Sequence, residues 1–216
     1  MRRRRLNPKR TSHPAILSPC HPVTLSPLLA LFRQANLLKS LPRTGWLFAG
    51  VVQPESLADH TCLVAIYALF LAEALNDDLA GQGLPQPLDV GRVVALALIH
   101  DLAESVLTDL PKRATKALGA DVKHAAEERL IAGLLGKIGG GERYAALWQE
   151  YDSAASAEAR LVKDVDRLEM VVQALRYGER GHTNLQEFQM GHTWHYPLCQ
   201  QLFDELSNGP KTTWTV

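Results

Sequence analysis

The chain is poor in aromatic residues and nearly free of cysteine, with 6% Phe, Trp and Tyr and three Cys among 216 residues. Cys20, Cys62 and Cys199 form neither a C-x-x-C pair nor an even disulfide framework, which argues for a reducing cytoplasm. Cys62 lies in an apolar helical segment and is expected to be a buried thiol. No unbroken apolar run reaches the roughly 18–20 residues of a membrane span. The longest, around 93–99, has the length of a buried helix segment. Alternating strands of useful length are missing too, so the Ala- and Leu-rich 46% hydrophobic content points to an all-α fold. Net charge of either sign is also lacking, but the balance hides an asymmetry. Residues 1–10 hold six of the 23 Lys and Arg and no acid, which leaves 17 basic against 23 acidic groups in 11–216. That mildly acidic body argues against a broad nucleic-acid-binding face. The basic start, MRRRRLNPKR, lacks the apolar stretch of a secretory signal and reads as a solvated tail, with a nucleic-acid tether as the alternative.

What is present fits one domain with a substantial core. Residues 1–25, rich in Arg, Pro and Ser, and 209–216 are expected to be tails around a folded unit at 26–208. A first helix is expected over 26–39, followed by a loop of turn formers, PRTGW, at 42–46. Ser56 with Asp59 three residues on is an N-cap signature for a helix over 57–75. Its apolar stripe runs Leu57, Val64, Ala68, Leu71, Leu75, and His60 falls on it, facing inward. A central helix is expected over 92–104, an amphipathic one over 121–137, and others over 142–151, 156–178 and 194–207. GQGLPQP at 81–87 is a loop, and Gly139–Gly141 a turn.

Chemistry begins at His100–Asp101. Eight His and 11 Asp in 216 residues give about 0.4 such pairs by chance, so the dipeptide alone is weak. Its place at the end of an apolar stretch matters more, because an ionised carboxylate there is costly unless it is paired or holds a metal. His60 alone reads more readily as a satisfied core histidine than as a ligand. Asp166 lies between Val162 and Met170 one turn either way, and its competing reading is an ion pair with Lys163 or Arg167. Asp164 points elsewhere on the same helix and is expected to be the more exposed of the two. Together His60, His100, Asp101 and Asp166 make a mixed imidazole–carboxylate set from three helices, which suits Mn, Co, Mg, Fe or Zn better than a thiolate site would. Glu104, four residues after His100, faces the same side; as an acid expected near a helix C-terminus, it calls for a functional reason. Asp109 either joins it or caps a turn before Pro111.

These strings resemble a known family. The order H…HD…D is that of HD-domain phosphohydrolases. LPRTGW (41–46), ESLADH (55–60), HDLAESVLTDLP (100–111), LWQEY (147–151) and SAEARLVKDVDRLEM (156–170) are similar to the 5′-deoxynucleotidase branch, over about residues 34–207. The resemblance implies a helical bundle with one central metal site. His60, His100, Asp101 and Asp166 would be the metal ligands. Glu104 and Asp109 would be the acidic pair that serves catalysis or a second cation, beside the Leu110 carbonyl. Arg43, Trp46 and Lys163 would meet the substrate, although Arg43 lies three before the Trp where the bacterial branch has Arg directly before it. The implied activity is hydrolysis of deoxyribonucleoside 5′-monophosphates to deoxyribonucleoside and phosphate, by a homodimer, with no membrane or nucleic-acid partner. Competing readings are another HD-type nucleotide pyrophosphohydrolase or phosphodiesterase, and a non-catalytic nucleotide-binding helical protein.

Overall fold

The computed structural model describes residues 25–208; the Arg-rich start with Cys20, and the last eight residues, lie outside the described part. Eleven α-helices are found among the described residues: α1 (Leu25–Ala35), α2 (Gly45–Phe48), α3 (Leu57–Asp77), α4 (Val90–Ile99), α5 (Glu104–Leu107), α6 (Lys112–Leu118), α7 (Ala120–Leu135), α8 (Gly141–Asp152), α9 (Ala157–Glu179), α10 (Gln186–Gln189) and α11 (Pro197–Asn208). A 3-10 turn, Asn36–Lys39, continues α1. The all-α expectation holds. Strand-like pairing among the described residues is confined to one antiparallel bridge, Pro42 with Ser56.

Three helices, α3, α4 and α9, form the centre, and their facing residues make one core with Val64, Ala68, Leu75, Val93, Leu96, Leu161, Val162 and Val165. Each starts on a side-chain cap. Ser56 accepts from Asp59 N while the Asp59 carboxylate accepts from Ser56 N, a full capping box. Asp89 accepts from Arg92 N, and Ser156 from Ala159 N. These caps set the phase of the helices that carry the site. The α7–α8 turn needs Gly141, since a Cβ there would collide with the Leu135 carbonyl.

Several expectations are corrected. The helix expected over 92–104 stops at Ile99; His100–Ala103 form a turn and α5 restarts at Glu104. Glu104 therefore opens a short helix rather than ending a long one, and the helix-dipole argument for it fails. PRTGW is not all loop, because Gly45 and Trp46 begin α2. Cys62 is exposed, not buried: it lies two residues, about 200°, around α3 from the inward-facing His60. Asp164 is fully buried instead of exposed, because the chain entering α11 lands on it. Its Oδ2 accepts from His195 N at 2.7 Å and Tyr196 N at 3.0 Å. Finally, α3 is long and apolar enough, by length and composition, to cross a membrane, because it tolerates acids only near its ends. Here it is the core helix, with Leu57, His60, Val64, Ala68, Ala72 and Leu75 buried inside the domain.

Candidate metal centre

His60 stands one residue past the capping box of α3, so the helix start fixes where its ring enters the core. His100 follows the last turn of α4. Its Nδ1 donates to Ala97 O at 2.7 Å, and its own carbonyl accepts from the buried Trp148 Nε1 at 3.1 Å. Since a carbonyl can only accept, Nδ1 carries a proton, which leaves Nε2 as the ring nitrogen able to ligate a metal. On the other side of the centre, α9 brings in Asp166, whose Oδ2 accepts from Tyr151 OH at 3.2 Å. Asp166 makes no ion pair of 4.0 Å or less with Lys163 or Arg167 among the described contacts. Arg167 turns to Asp164, at 3.1 Å.

The four expected ligands converge. Donor atoms of His60, His100 and Asp166 lie within 4.8 Å of one another. Asp101 Oδ2 is 3.1 Å from His100 Nε2 and 3.6 Å from His60 Nε2, and Asp166 Oδ1 is 3.2 Å from His60 Nε2. Both Nε2 atoms are buried and have no hydrogen-bond partner. Two orphaned imidazole nitrogens facing two carboxylates would be a costly arrangement without a cation to share. The donor set, two imidazole nitrogens and two carboxylate oxygens, fits a divalent metal.

Electrostatics agree. Burial pushes the Asp101 and Asp166 carboxyls up, but the neighbouring imidazoles and Arg43 outweigh it and hold both well below the usual carboxylate range. Burial and Arg43 oppose charge on His60, yet Asp166 and Glu169 raise it to about 10. The centre is built to hold positive charge.

Glu169 was not anticipated from the sequence. Its Oε2 is 2.5 Å from His60 Nδ1, and both side chains are excluded from solvent. A carboxylate on the far ring nitrogen fixes the tautomer and orientation of a ligating histidine. The signal was available: Glu169 lies three residues, one helical turn, after Asp166 on α9. Glu55 adds a second acid behind His60, and burial together with Glu169 pushes its carboxyl up to about 7.

Arg43 is delivered by the strap that pairs with the residues before α3. Its N–H donates to Glu55 O at 3.0 Å, and Leu57 N donates to Leu41 O at 2.9 Å. Its guanidinium reaches Asp101 at 3.5 Å. Burial opposes that charge, but Asp101, Asp166, Asp109 and Glu104 together raise its pKa. Asp109 clamps the same strap: its Oδ2 accepts from Thr44 N at 2.5 Å, Thr44 Oγ1 at 3.1 Å and Gly45 N at 3.4 Å. Leu110 O accepts from Thr115 Oγ1 at 3.3 Å. Trp46 is 1% exposed, with Nε1 donating to Glu55 at 2.9 Å and its ring against Tyr177 and Phe188. Lys163 sits 3.7 Å over the Tyr151 ring, and burial lowers its pKa despite Asp166.

Glu104 is almost fully buried, and its carboxyl is pushed well above the usual range by burial, Asp101 and Asp109, against Arg43 and Lys123. Beside the centre opens a cavity of about 450 Å³, lined by Arg43, Trp46, Asp109, Arg167, Met170 and Phe188 among others. The four ligand candidates are not among its lining residues. Arg43 lines the cavity and also reaches Asp101 of the metal centre.

With this geometry in view, the family model of the HD domain matches residues 35–195. The chain belongs to the HD-domain family. It is 35% identical over 187 residues to 5′-deoxynucleotidase HDDC2 of Homo sapiens, covering 83% of this chain and 84% of that protein. It is 30% identical over 171 residues to 5′-deoxynucleotidase hdd1 of Schizosaccharomyces pombe, covering 76% and 77%. Among solved structures, a conserved protein of Pyrococcus furiosus is similar with TM-score 0.65 and 40% identity, over 74% of this chain and 84% of that one.

Proposed function

We propose that this HD-domain protein is a metal-dependent 5′-deoxynucleotidase, hydrolysing deoxyribonucleoside 5′-monophosphates to deoxyribonucleoside and phosphate. The observation that carries the reading is the pair of buried, unpartnered Nε2 atoms of His60 and His100 facing Asp101 and Asp166. The names of the relatives supply the substrate class. A divalent ion held by these four residues, with Mn, Co or Mg preferred over Zn or Fe, would supply a Lewis acid that polarises a phosphoryl oxygen and lowers the pKa of water.

The chain's own residues account for the rest. Arg43, on the wall shared by metal centre and cavity, offsets charge on the phosphate with a planar guanidinium. Glu104, favoured in its protonated form by burial and two nearby acids, holds a proton for the departing 5′-oxygen as the P–O5′ bond breaks. Asp109 keeps the Arg43 strap closed and, with Glu104, is the acidic pair for a second cation. Trp46 and Phe188 form an apolar wall for the sugar, and Lys163 stands behind Asp166 as a secondary charge.

The reading includes one HD domain over 26–208 between two tails, a cytoplasmic location and no membrane or nucleic-acid partner. Cys62 and Cys199 are free, which fits a reducing compartment. A homodimer is part of it, supported by exposed apolar residues on α1 (Leu25, Leu29, Phe32) and α3 (Ile66, Leu69, Phe70). The test is phosphate release from dAMP, other deoxynucleotides and AMP with added Mn²⁺, Co²⁺ or Mg²⁺. Release from the deoxy series above AMP is expected; equal rates would remove the deoxy selectivity, and no release with any ion would remove the activity.

A further inference from the structure

The two oxygens of Glu104 have different surroundings. Oε1 lies 3.5 Å from Lys123 Nζ on α7, whereas Oε2 is buried with no hydrogen-bond partner. Lys123 is itself held from behind by Glu127, one turn later on α7, at 3.2 Å. Glu104 is 4% exposed and Glu127 9%, and the Lys123 side chain, 24% exposed, bridges the two acids. Burial works against charge on Lys123, but Glu104 and Glu127 outweigh it and keep it a cation. Among the described ion pairs, Lys123 is the cation that reaches Glu104, whose carboxyl is nearly excluded from solvent.

We infer that Lys123 is a positioning residue for Glu104: it holds Oε1 and thereby leaves Oε2 as the oxygen presented to the substrate. This rests on the proposed role of Glu104. Because Glu104 belongs to a helix of only one turn that follows the His100–Asp101 turn, the backbone constrains its side chain less than a long helix would. A tether from a different helix supplies the missing constraint. An ammonium attracts the lone pairs of a carboxyl in either protonation form, so the orientation persists through a proton transfer. Glu127 sets the position of Lys123 in turn, which makes α7 a buttress of the site although none of its residues belongs to the motif strings.

The test uses the metal-loaded full chain with dAMP, measuring kcat, KM and thermal midpoint for wild type, K123M, K123R, E104Q and the K123M/E104Q pair. K123M is expected to lower kcat about ten- to a hundredfold, as misplacement of a reacting group does, with KM within about twofold. K123R, which also presents cationic donors, recovers most of the rate. Adding K123M to E104Q costs nothing further, since the group being positioned is gone. An unchanged kcat in K123M, a rise in KM alone, or independent losses in the double variant would each overturn the inference. If E104Q keeps full activity, the role given to Glu104 fails and this inference with it. A low E104Q beside a fully active K123M overturns only the inference. K123Q, a neutral polar substitute with a shorter stem, carries the same comparison if K123M does not fold.

Discussion

Glu169 Oε2 lies 2.5 Å from His60 Nδ1, and neither side chain is reached by solvent. The pair couples α9 to α3 directly behind the candidate metal. Glu169→Ala is expected to weaken binding of the divalent ion about ten- to a hundredfold, the usual effect of removing a histidine's outer partner. Titration calorimetry with Mn²⁺ or Co²⁺ measures it. Affinity equal to wild type would show that the contact does not orient His60 for a metal.

Removing a candidate ligand should act more bluntly. His100→Ala and Asp166→Asn are expected to lose bound metal and phosphatase activity together, read by elemental analysis and phosphate release. Chelating the metal from the wild type should lower its melting temperature, because an ion at a hundred times its Kd stabilises the fold by about 2.7 kcal/mol. His100→Ala that keeps its metal and its rate would refute the assignment of the site.

The metal-free protein should have a distinctive pH response. His60 is raised from 6.5 to about 10, with burial and Arg43 lowering it and Asp166 and Glu169 raising it more. Its stabilising contribution is therefore complete below about pH 6.5 and lost as pH climbs to about 10. Glu55, raised from 4.5 to about 7, contributes in the same direction at lower pH. Asp101 and Asp166, held below their ordinary 3.8, contribute above that value and lose it in acid. Melting temperature without metal should fall between pH 6.5 and 10, while metal affinity rises over the same range as protons stop competing for His60. A flat melting profile across that window contradicts this.

Asp109 offers a way to separate clamping from chemistry. Asp109→Ala leaves Thr44 N and Gly45 N without their acceptor, which should cost about 1 kcal/mol in this half-buried setting. It should also raise KM by releasing the Arg43 strap. Asp109→Asn keeps an acceptor oxygen and is expected to hold the strap, restoring most of both quantities. An Asn variant as impaired as the Ala variant points to a direct part in the reaction. Urea unfolding and steady-state kinetics on the two variants decide between them.

How much of this was legible in the chain depends on the range of the interaction. The capping box at Ser56 and Asp59, the inward phase of His60 and the preference for Asp166 over Asp164 as the candidate ligand follow from spacing along a helix, because 100° per residue fixes which side chains share a face. The same rule, applied to Cys62, would have turned it outward. Glu169 was one turn from Asp166 and equally open to that reasoning. Asp164 was different. Its direction away from the site was right, but its burial comes from His195 N and Tyr196 N, more than thirty residues away. The expected helix over 92–104 broke at His100, where the Trp148 indole takes the carbonyl and α5 starts anew.

The sequence by itself determined an all-α domain and nominated His60, His100, Asp101 and Asp166 as candidate ligands, since helical periodicity and residue chemistry are local properties. Only the tertiary structure decided what surrounds that set: Glu169 behind His60, Asp109 on the Arg43 strap, and Lys123 against Glu104. Those contacts join segments that are separate in the chain; although Glu169 shares a helical turn with Asp166, its meeting with His60, like the other two contacts, follows from how apolar faces pack.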